Sequence, residues 1–518
     1  MNPSTADRWL GAPCVLLGLA TVHVLALFNA GAYIATLPQV AAGLGQPPSF
    51  GTWTQTDYLT SLAAGIPLAR AFAARWGDAW VFRTATAGFA AASAACALSP
   101  GLGFFLAARI VLGVCGGMAL PAGQRLFLRA CLARGVPYGP AAWGVLALSP
   151  FSLGTAFGGW LTDAHGWRAL FEWNLFLALT ALLLTVLAWR RVPDGGPAPA
   201  GVPGAFDWIG YSLLVATLFG LQTLLNLGND LDWLAQDGLR ALAPATWLLA
   251  CAWGWRVWRH PDPGGFSWTC LASPDFVASL AGLVLGFLCF QGLLSLLIVQ
   301  LQLTLGYTAT AAGQVFLPLA LGGFPVALAV QRWMRPQDAR WLASLGLLGL
   351  GAVYSHVAGY EQPHAYGQLF GPKLVEGICS GLVFGPLSAL ATRQLEPAKQ
   401  AGATELALLL RLAAGAVGIT LAGVVLYRQA ALHQSLFVEG LSPLDPVLDS
   451  WHARLAGAGL AGTQIQAKLG QIVTQHARLM AIDDAFRWAG WLCAGLGVMV
   501  ALAKFLPAPP RPVAQATE

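Results

Sequence analysis

Two short stretches decide the fold of this chain. The first is Arg109-Ile-Val-Leu-Gly113-Val-Cys-Gly-Gly117, and the second is Lys373-Leu-Val-Glu-Gly377-Ile-Cys-Ser-Gly381. A basic residue, two glycines and a cysteine recur at a constant offset inside apolar runs. Arg75-Trp76 and Arg332-Trp333 recur in a similar way. Chance likeness between apolar segments is the alternative, but a basic residue at the same depth in both halves favours an internal repeat.

The composition around these stretches is that of a membrane protein. Of 518 residues, 57% are hydrophobic and only 10% are charged, whereas soluble domains carry about 25% charged residues. The 61 glycines and 21 tryptophans are typical of helices packed in lipid. The class expected is therefore an all-α polytopic membrane protein, with the lipid bilayer as its surroundings.

Several other classes are not indicated. The net charge of +5 comes from basic residues spread singly, which does not predict nucleic-acid binding. The nine cysteines have no CxxC spacing and are interpreted as small core residues. No HExxH, GxSxG or Walker pattern occurs, so neither an enzyme nor a cofactor or metal site is predicted.

Apolar runs of about 20 residues mark candidate spans. Fourteen are predicted, near 13–38, 52–72, 80–99, 104–128, 138–161, 168–189, 207–227, 240–258, 276–302, 309–331, 340–359, 369–392, 404–427 and 485–506. They divide into a six-helix bundle at 1–191, a linker with two extra spans at 192–260, and a second six-helix bundle at 261–518. Two repeated bundles around a central site are the design of alternating-access transporters.

Lysine and arginine set the predicted orientation. They concentrate in the segments that are internal if the N-terminus is cytoplasmic, and the short outer loops hold only Arg168 and Arg240. The positive-inside rule then places both termini in the cytoplasm. The polar connection at about 428–484 becomes an external element, with an amphipathic helix expected around 464–480.

Further motifs resemble those of a known family. Gly154-Thr-Ala-Phe-Gly158-Gly159-Trp-Leu-Thr-Asp163 is similar to an antiporter motif of span 5, Phe206-Asp-Trp-Ile-Gly210 to the start of an extra pair of spans, and Ile482-Asp-Asp-Ala-Phe486 to the end of an external loop. Together with the stretch at 109–117, these resemble the fourteen-span drug:proton antiporters of the major facilitator superfamily, the EmrB/QacA type. The resemblance implies proton-coupled export of amphipathic small molecules from the inner membrane. It also implies a periplasmic adaptor protein and an outer-membrane channel as partners, with 428–484 as the docking region.

The chain departs from the family pattern at its acidic positions. Asn29 replaces the aspartate of span 1, Ala74 that of the loop after span 2, and Asn226 that of span 7. Asp57 in span 2 lies at about the depth of Arg109. We therefore predict that Asp57 titrates beside Arg109 while Asn29 keeps the hydrogen-bonding place. The alternative is that Asp57 lies in water at the headgroup level.

Other charges inside spans are candidates for coupling or gating, because a charge in hydrocarbon is costly. Lys373 and Glu376 are three residues apart, so they could equally neutralise each other. Glu172 at the start of span 6 could equally be an interfacial cap. Glu405 and Arg411 share a face that either packs on span 10 or lines an inner vestibule, and a structural role for Arg411 is as compatible with the sequence as a gating role.

Candidates for the substrate cavity are weaker, because aromatic residues in membrane proteins are usually interfacial anchors or face lipid. They are Trp173, Asn174, Phe290 and Gln291. The leading hypothesis for function is proton-coupled efflux. The alternatives are a dedicated transporter of a metabolite, lipid or siderophore, and a non-transporting membrane scaffold or sensor.

Overall fold

The structure is a computed structural model that describes residues 5–133, 143, 150–188, 206–228, 230–260, 268–335, 337–360, 366–440 and 446–503. Over these ranges it is α-helical, with two short 3₁₀ turns and no strand, which confirms the all-α prediction. The first part of predicted span 5 and the linker at 192–205 lie outside the described residues.

In the described part of residues 1–191, six helices form the N-terminal bundle. They are α1 (Thr5–Gly43), α2 (Pro48–Trp76), α3 (Asp78–Ala97), α4 (Leu102–Leu132), α5 (Pro150–His165) and α6 (Ala169–Ala188). Proline at the first position of α2 is pre-organised for helix. Gly77 has a φ of 82°, a conformation that glycine adopts readily, and this lets α3 begin directly after α2.

The next two helices are α7 (Trp208–Gly228) and α8 (Asp237–Arg259), which pack on each other. Helix α7 also contacts α2 of the first bundle and α14 of the second. Asp207 directly precedes α7, and its carboxylate accepts hydrogen bonds from Arg256 of α8. The two side chains form an ion pair at 2.8 Å, which connects the start of α7 to the end of α8.

The C-terminal bundle contains the remaining helices. They are α9 (Pro274–Leu303), α10 (Ala309–Gln314), α11 (Leu317–Trp333), α12 (Ala339–Val357), α13 (Tyr366–Thr392), α14 (Pro397–Gly440), α15 (Pro446–Gly457) and α16 (Gly462–Leu502). Predicted span 10 is thus broken into α10 and α11. In the described part of the chain, nine helices are long and apolar enough to cross a membrane, and the count of fourteen stays a prediction.

The repeated glycines perform the same task in both halves. A Cβ added at Gly113 would lie 2.6 Å from the carbonyl oxygen of Tyr58, and one at Gly117 would clash with α2 at Leu62. A Cβ at Gly377 would clash in the same way with the Leu319 carbonyl of α11. Small residues allow helix backbones to approach this closely in lipid. The α2–α4 contact therefore recurs as the α11–α13 contact.

The connection at 428–484 differs in form from the predicted loop. Helix α14 has 44 residues and α16 has 41, so each is about 60 to 66 Å long at ~1.5 Å per residue. Both exceed the ~30 Å hydrocarbon core. The segment at 428–484 is therefore made mainly of continuations of α14 and α16. His433 of α14 contacts Asp484, near the middle of α16, at 2.7 Å.

Candidate functional site

A fully buried arginine lies at the centre of a polar cluster in the predicted outer half of the N-terminal bundle. The Arg109 side chain on α4 donates to the Asn29 amide oxygen at 2.8 Å and to that of Gln55 at 3.0 Å. Its guanidinium carbon also lies 3.9 Å from the ring centroid of Tyr33 and 4.3 Å from that of Tyr58. Amide dipoles and aromatic faces thus surround this cation.

The predicted partner Asp57 is close to this cluster but does not bind the guanidinium directly. It is buried on α2, and the described hydrogen bonds of Arg109 go to Asn29, Gln55 and the Thr54 carbonyl. The structure therefore brings Asn29 and Arg109 together as expected, with Gln55 in the place expected for Asp57. Asp57 is buried, but its role in proton coupling stays a prediction.

A buried ion pair occupies the outer half of the other bundle. Lys373 donates to Glu376 at 2.6 Å, and the Tyr354 hydroxyl donates to the other carboxylate oxygen at 3.2 Å. The Lys373 ammonium also lies 4.7 Å from the ring centroid of Phe316. The two charges are paired, as the neutralisation alternative expected.

A charge network joins the two bundles near the predicted inner face. Glu405 of α14 binds Arg70 of α2 at 2.8 Å and also binds Arg125 of α4. Arg125 and Arg129 in turn bind Asp78 at the start of α3, at 2.7 and 3.0 Å. Glu405 thus pairs with the opposite bundle and not with Arg411 on its own helix.

Contacts of a different kind join the bundles near the predicted outer face. The Asp163 carboxylate of α5 accepts hydrogen bonds from the backbone amide and hydroxyl of Thr310, at 2.7 and 2.6 Å. Gln39 of α1 donates to Gln302 of α9 at 2.9 Å. The two bundles are therefore held together by polar contacts at both ends.

The motif glycines of α5 allow these outer contacts. A Cβ at Gly154 would lie 2.6 Å from the Phe28 carbonyl oxygen, and Gly158 approaches α1 in the same way. Gly159 instead faces the other bundle, where an added Cβ would clash with the Ala309 carbonyl. One motif therefore packs α5 on its own bundle and on the opposite bundle.

A cavity of about 240 Å³ lies between the bundles, towards the predicted inner face. His23 and Gln124 line it from the N-terminal bundle, and Arg411 and Thr404 line it from the C-terminal bundle. His23 is buried, its ring centroid lies 4.1 Å from that of Trp143, and neither ring nitrogen has a hydrogen-bond partner among the described residues. A cavity lined by both bundles is the place where a transported molecule can contact both.

Aromatic rings close the outer end of this region. Arg411 and Phe384 line both the inner cavity and a small pocket of about 40 Å³, which Phe151, Phe287 and Phe290 also line. The Phe151 centroid lies 5.7 Å from that of Phe287 and 6.5 Å from that of Phe290, across the bundle boundary. Phe290 therefore lines the small pocket but not the cavity of about 240 Å³, and its role as a substrate-cavity residue stays a prediction.

Other predicted cavity residues lie elsewhere. Glu172 and Trp173 are exposed on α6 and line none of the described cavities, which agrees with an interfacial position for Glu172. Asn174 and Gln291 are buried, and each has at least one amide atom without a hydrogen-bond partner in the described ranges. Neither lines the cavity of about 240 Å³. The structure therefore does not bring these four residues together.

Several site residues escaped prediction from sequence. Their residue types are ordinary for a span or a basic loop, and only their contacts in the structure identify them as site residues. They are Gln55, Arg70, Arg125 and Asp78. His23 is not among the predicted site residues, although the sequence shows a histidine deep in the first span. Its position on the cavity needed the fold.

Comparison with known proteins places this geometry in context. The model of the Major Facilitator Superfamily matches residues 19–419. The chain is 26% identical over 471 residues to the fatty acid resistance protein FarB of Neisseria gonorrhoeae, covering 90% of this chain and 91% of that one. It is 25% identical over 464 residues to the multidrug export protein EmrB of Escherichia coli strain K12, covering 89% and 88%.

Solved structures agree on the fold. A crystal structure of an autoinhibited POT family peptide transporter has a TM-score of 0.61 at 14% identity, covering 97% of this chain and 99% of that one. A bacterial homologue of the human lysosomal transporter Spinster has a TM-score of 0.58 at 14% identity, covering 96% and 97%. The family match, the EmrB-type relatives and two bundles around a shared cavity lead to one conclusion: the chain belongs to the Major Facilitator Superfamily.

Proposed function

We propose that this protein is an inner-membrane secondary active exporter of amphipathic or hydrophobic small molecules, driven by proton antiport. The observation that carries the proposal is the inner cavity, which both bundles line and which lies between polar inter-bundle contacts on either side. Alternating access needs such contacts to break on one side at a time. The relatives named for multidrug export and fatty acid resistance support the substrate class.

Proton coupling is assigned to Asp57. It is a buried carboxylate in the bundle of Arg109, and the cation is already satisfied by neutral groups. A carboxylate with no cation bound to it can take up and release a proton as its hydration changes between conformations. Glu376 is the second candidate, although Lys373 and Tyr354 bind it.

Gating is assigned to the inter-bundle contacts. Release of Glu405 from Arg70 and Arg125 would open the inner side, and release of Asp163 from Thr310 would open the outer side. The Glu405 contacts are lost in the inward-open state and kept in the outward-open state, and the Asp163 contacts behave in the opposite way. Contacts that differ between two states allow a ligand to shift the equilibrium between them.

The proposed orientation has both termini in the cytoplasm. The extensions of α14 and α16 then project from the outer face, where we propose that a periplasmic adaptor leading to an outer-membrane channel docks. Single-cysteine labelling tests the orientation. A cysteine introduced at Gly195 should react only from the cytoplasmic side, and labelling by an impermeant reagent from outside would overturn the orientation.

The test of function uses purified protein in proteoliposomes with an imposed pH gradient and a fluorescent amphipathic cation or acid as cargo. Cargo should move against its gradient while protons move the other way, and a protonophore should stop both. Arg240→Gln, which removes an exposed charge outside the proposed machinery, serves as the matched control. Binding of cargo without flux under any gradient would leave a scaffold or sensor and reject the exporter.

A further inference from the structure

A second cavity, separate from the one between the inner halves of the bundles, lies near the outer ends of five predicted spans. Its volume is about 330 Å³, and α2, α7, α9, α14 and α16 line it. We call it the outer cavity. Its apolar lining includes Leu225, Leu296, Val299, Leu303, Ile419 and Val424. This volume lies in the range of small-molecule sites.

The dimensions of the outer cavity suit one lipid leaflet. Its lining runs along α14 from Ile419 to Ala430, about 16 Å at ~1.5 Å per residue. That is roughly half of the ~30 Å hydrocarbon core. An apolar molecule lying along the cavity would therefore extend through a single leaflet.

One buried amide in the outer cavity lacks its hydrogen bonds. Gln300 lines the cavity and is 4% exposed, and neither its amide nitrogen nor its amide oxygen has a hydrogen-bond partner among the described residues. A buried amide that lacks hydrogen-bond partners is unfavourable, so a ligand that supplies one gains affinity. Gln300 lies three residues before the end of α9 and two residues before the end of the predicted span at 276–302, which is the depth expected for a lipid's glycerol esters. An ester carbonyl can accept from its amide nitrogen.

Opposite charges flank the same cavity. Asp230 follows α7 and Arg478 lies on α16, and both line the outer cavity and are exposed. Within the described chain no ion pair is formed by either residue. A phosphate suits Arg478, and an ammonium suits Asp230. A zwitterionic headgroup supplies both.

From these placements we propose that the outer cavity binds one zwitterionic glycerophospholipid of the surrounding bilayer. Its acyl chain lies along α9 and α14, an ester carbonyl accepts from Gln300, and its headgroup lies between Arg478 and Asp230. Bound lipid would contact α2 of one bundle and α9 and α14 of the other. It would therefore stabilise the state in which the outer ends of the bundles are together.

The test measures lipid retention by native mass spectrometry of full-length protein purified in mild detergent and stripped of lipid. Phosphatidylethanolamine and phosphatidylglycerol with identical acyl chains are added back at matched concentrations. The wild type should retain phosphatidylethanolamine several-fold better. Gln300→Leu should weaken retention of both lipids about fivefold, as expected for one net hydrogen bond.

Two further variants make the result specific. Gln291→Leu removes a buried, unpartnered amide from the same helix outside the outer cavity, and should retain lipid as the wild type does. The double variant Asp230→Asn with Arg478→Gln should bind the two lipids equally. A phosphatidylethanolamine with a diazirine in its acyl chain should label peptides containing 295–304 and 419–430.

Three outcomes would overturn the proposal: equal loss in Gln291→Leu and Gln300→Leu, no preference between the lipids in the wild type, or labelling of other helices. Labelling of the cavity by a photoactivatable apolar dye but not by lipid would make it a substrate vestibule instead. The measurements need no gradient, so failure of proton-driven transport would leave this inference standing, and the reverse also holds.

Discussion

Replacing Glu405 by glutamine tests the inner charge network most directly. The substitution keeps the shape of the side chain but removes the charge that binds Arg70 and Arg125 across the bundle boundary. We expect the population to shift towards the state with an open inner side, because only the closed state forms these pairs.

The structure sets the size of this shift. Breaking a fully buried ion pair costs about 3–5 kcal/mol, whereas exposed pairs contribute about 0–1 kcal/mol. The Glu405 side chain is 7% exposed, but Arg70 and Arg125 are 22% and 21% exposed, and Asp78 still binds Arg125. An intermediate value of about 1–3 kcal/mol follows, which changes the equilibrium by about 5-fold to 150-fold.

Distance measurements between spin labels at Trp76 and Lys399, near the inner ends of α2 and α14, read out this equilibrium. The distribution should move to longer distances in Glu405→Gln. Asp237→Asn removes an exposed pair with Arg240 and should leave the distribution as in the wild type. An unchanged distribution in Glu405→Gln and in the double variant Arg70→Gln with Arg125→Gln would refute a gating role.

Three other predictions follow from the site. Asp57→Asn should abolish proton-driven transport in proteoliposomes and leave cargo binding intact but independent of pH; normal export across a pH gradient would move coupling to Glu376 or Glu172. Gly117→Leu should lower the thermal unfolding temperature of the purified protein strongly, because the added side chain clashes with the α2 backbone, whereas Gly103→Leu, where an added Cβ meets nothing within 4 Å, should change it little. Deleting 440–478 should abolish efflux in cells but not cargo binding by purified protein, and undiminished cellular efflux would count against an adaptor on this segment.

The helical fold and the repeat could be predicted because both depend on patterns within short stretches of sequence. Apolar runs mark helices in lipid, and the glycines of 109–117 and 373–381 mark close helix contacts wherever the chain places them. The form of the segment at 428–484 was harder to predict. Polar sequence does not span a membrane, but it can continue a helix beyond it, as α14 and α16 do.

The partners of each charge were less accessible from the sequence. Gln55 and Asp57 are two residues apart, which separates them by about 200° around a helix, and only Gln55 faces Arg109. A single sequence does not show which of these two residues contacts Arg109. Glu405 meets Arg70 and Arg125 from 335 and 280 positions away, so these pairs depend entirely on how the bundles dock.

The length of α14 has a mechanical consequence. One uninterrupted helix carries Glu405 near its inner end, Arg411 at the cavity and His433 well beyond the predicted span. A stiff rod of about 66 Å that tilts with its bundle sweeps its far end through a wider arc than any point inside the membrane. A protein bound to that end would therefore be displaced each time the inner side opens or closes, without contacting the cargo.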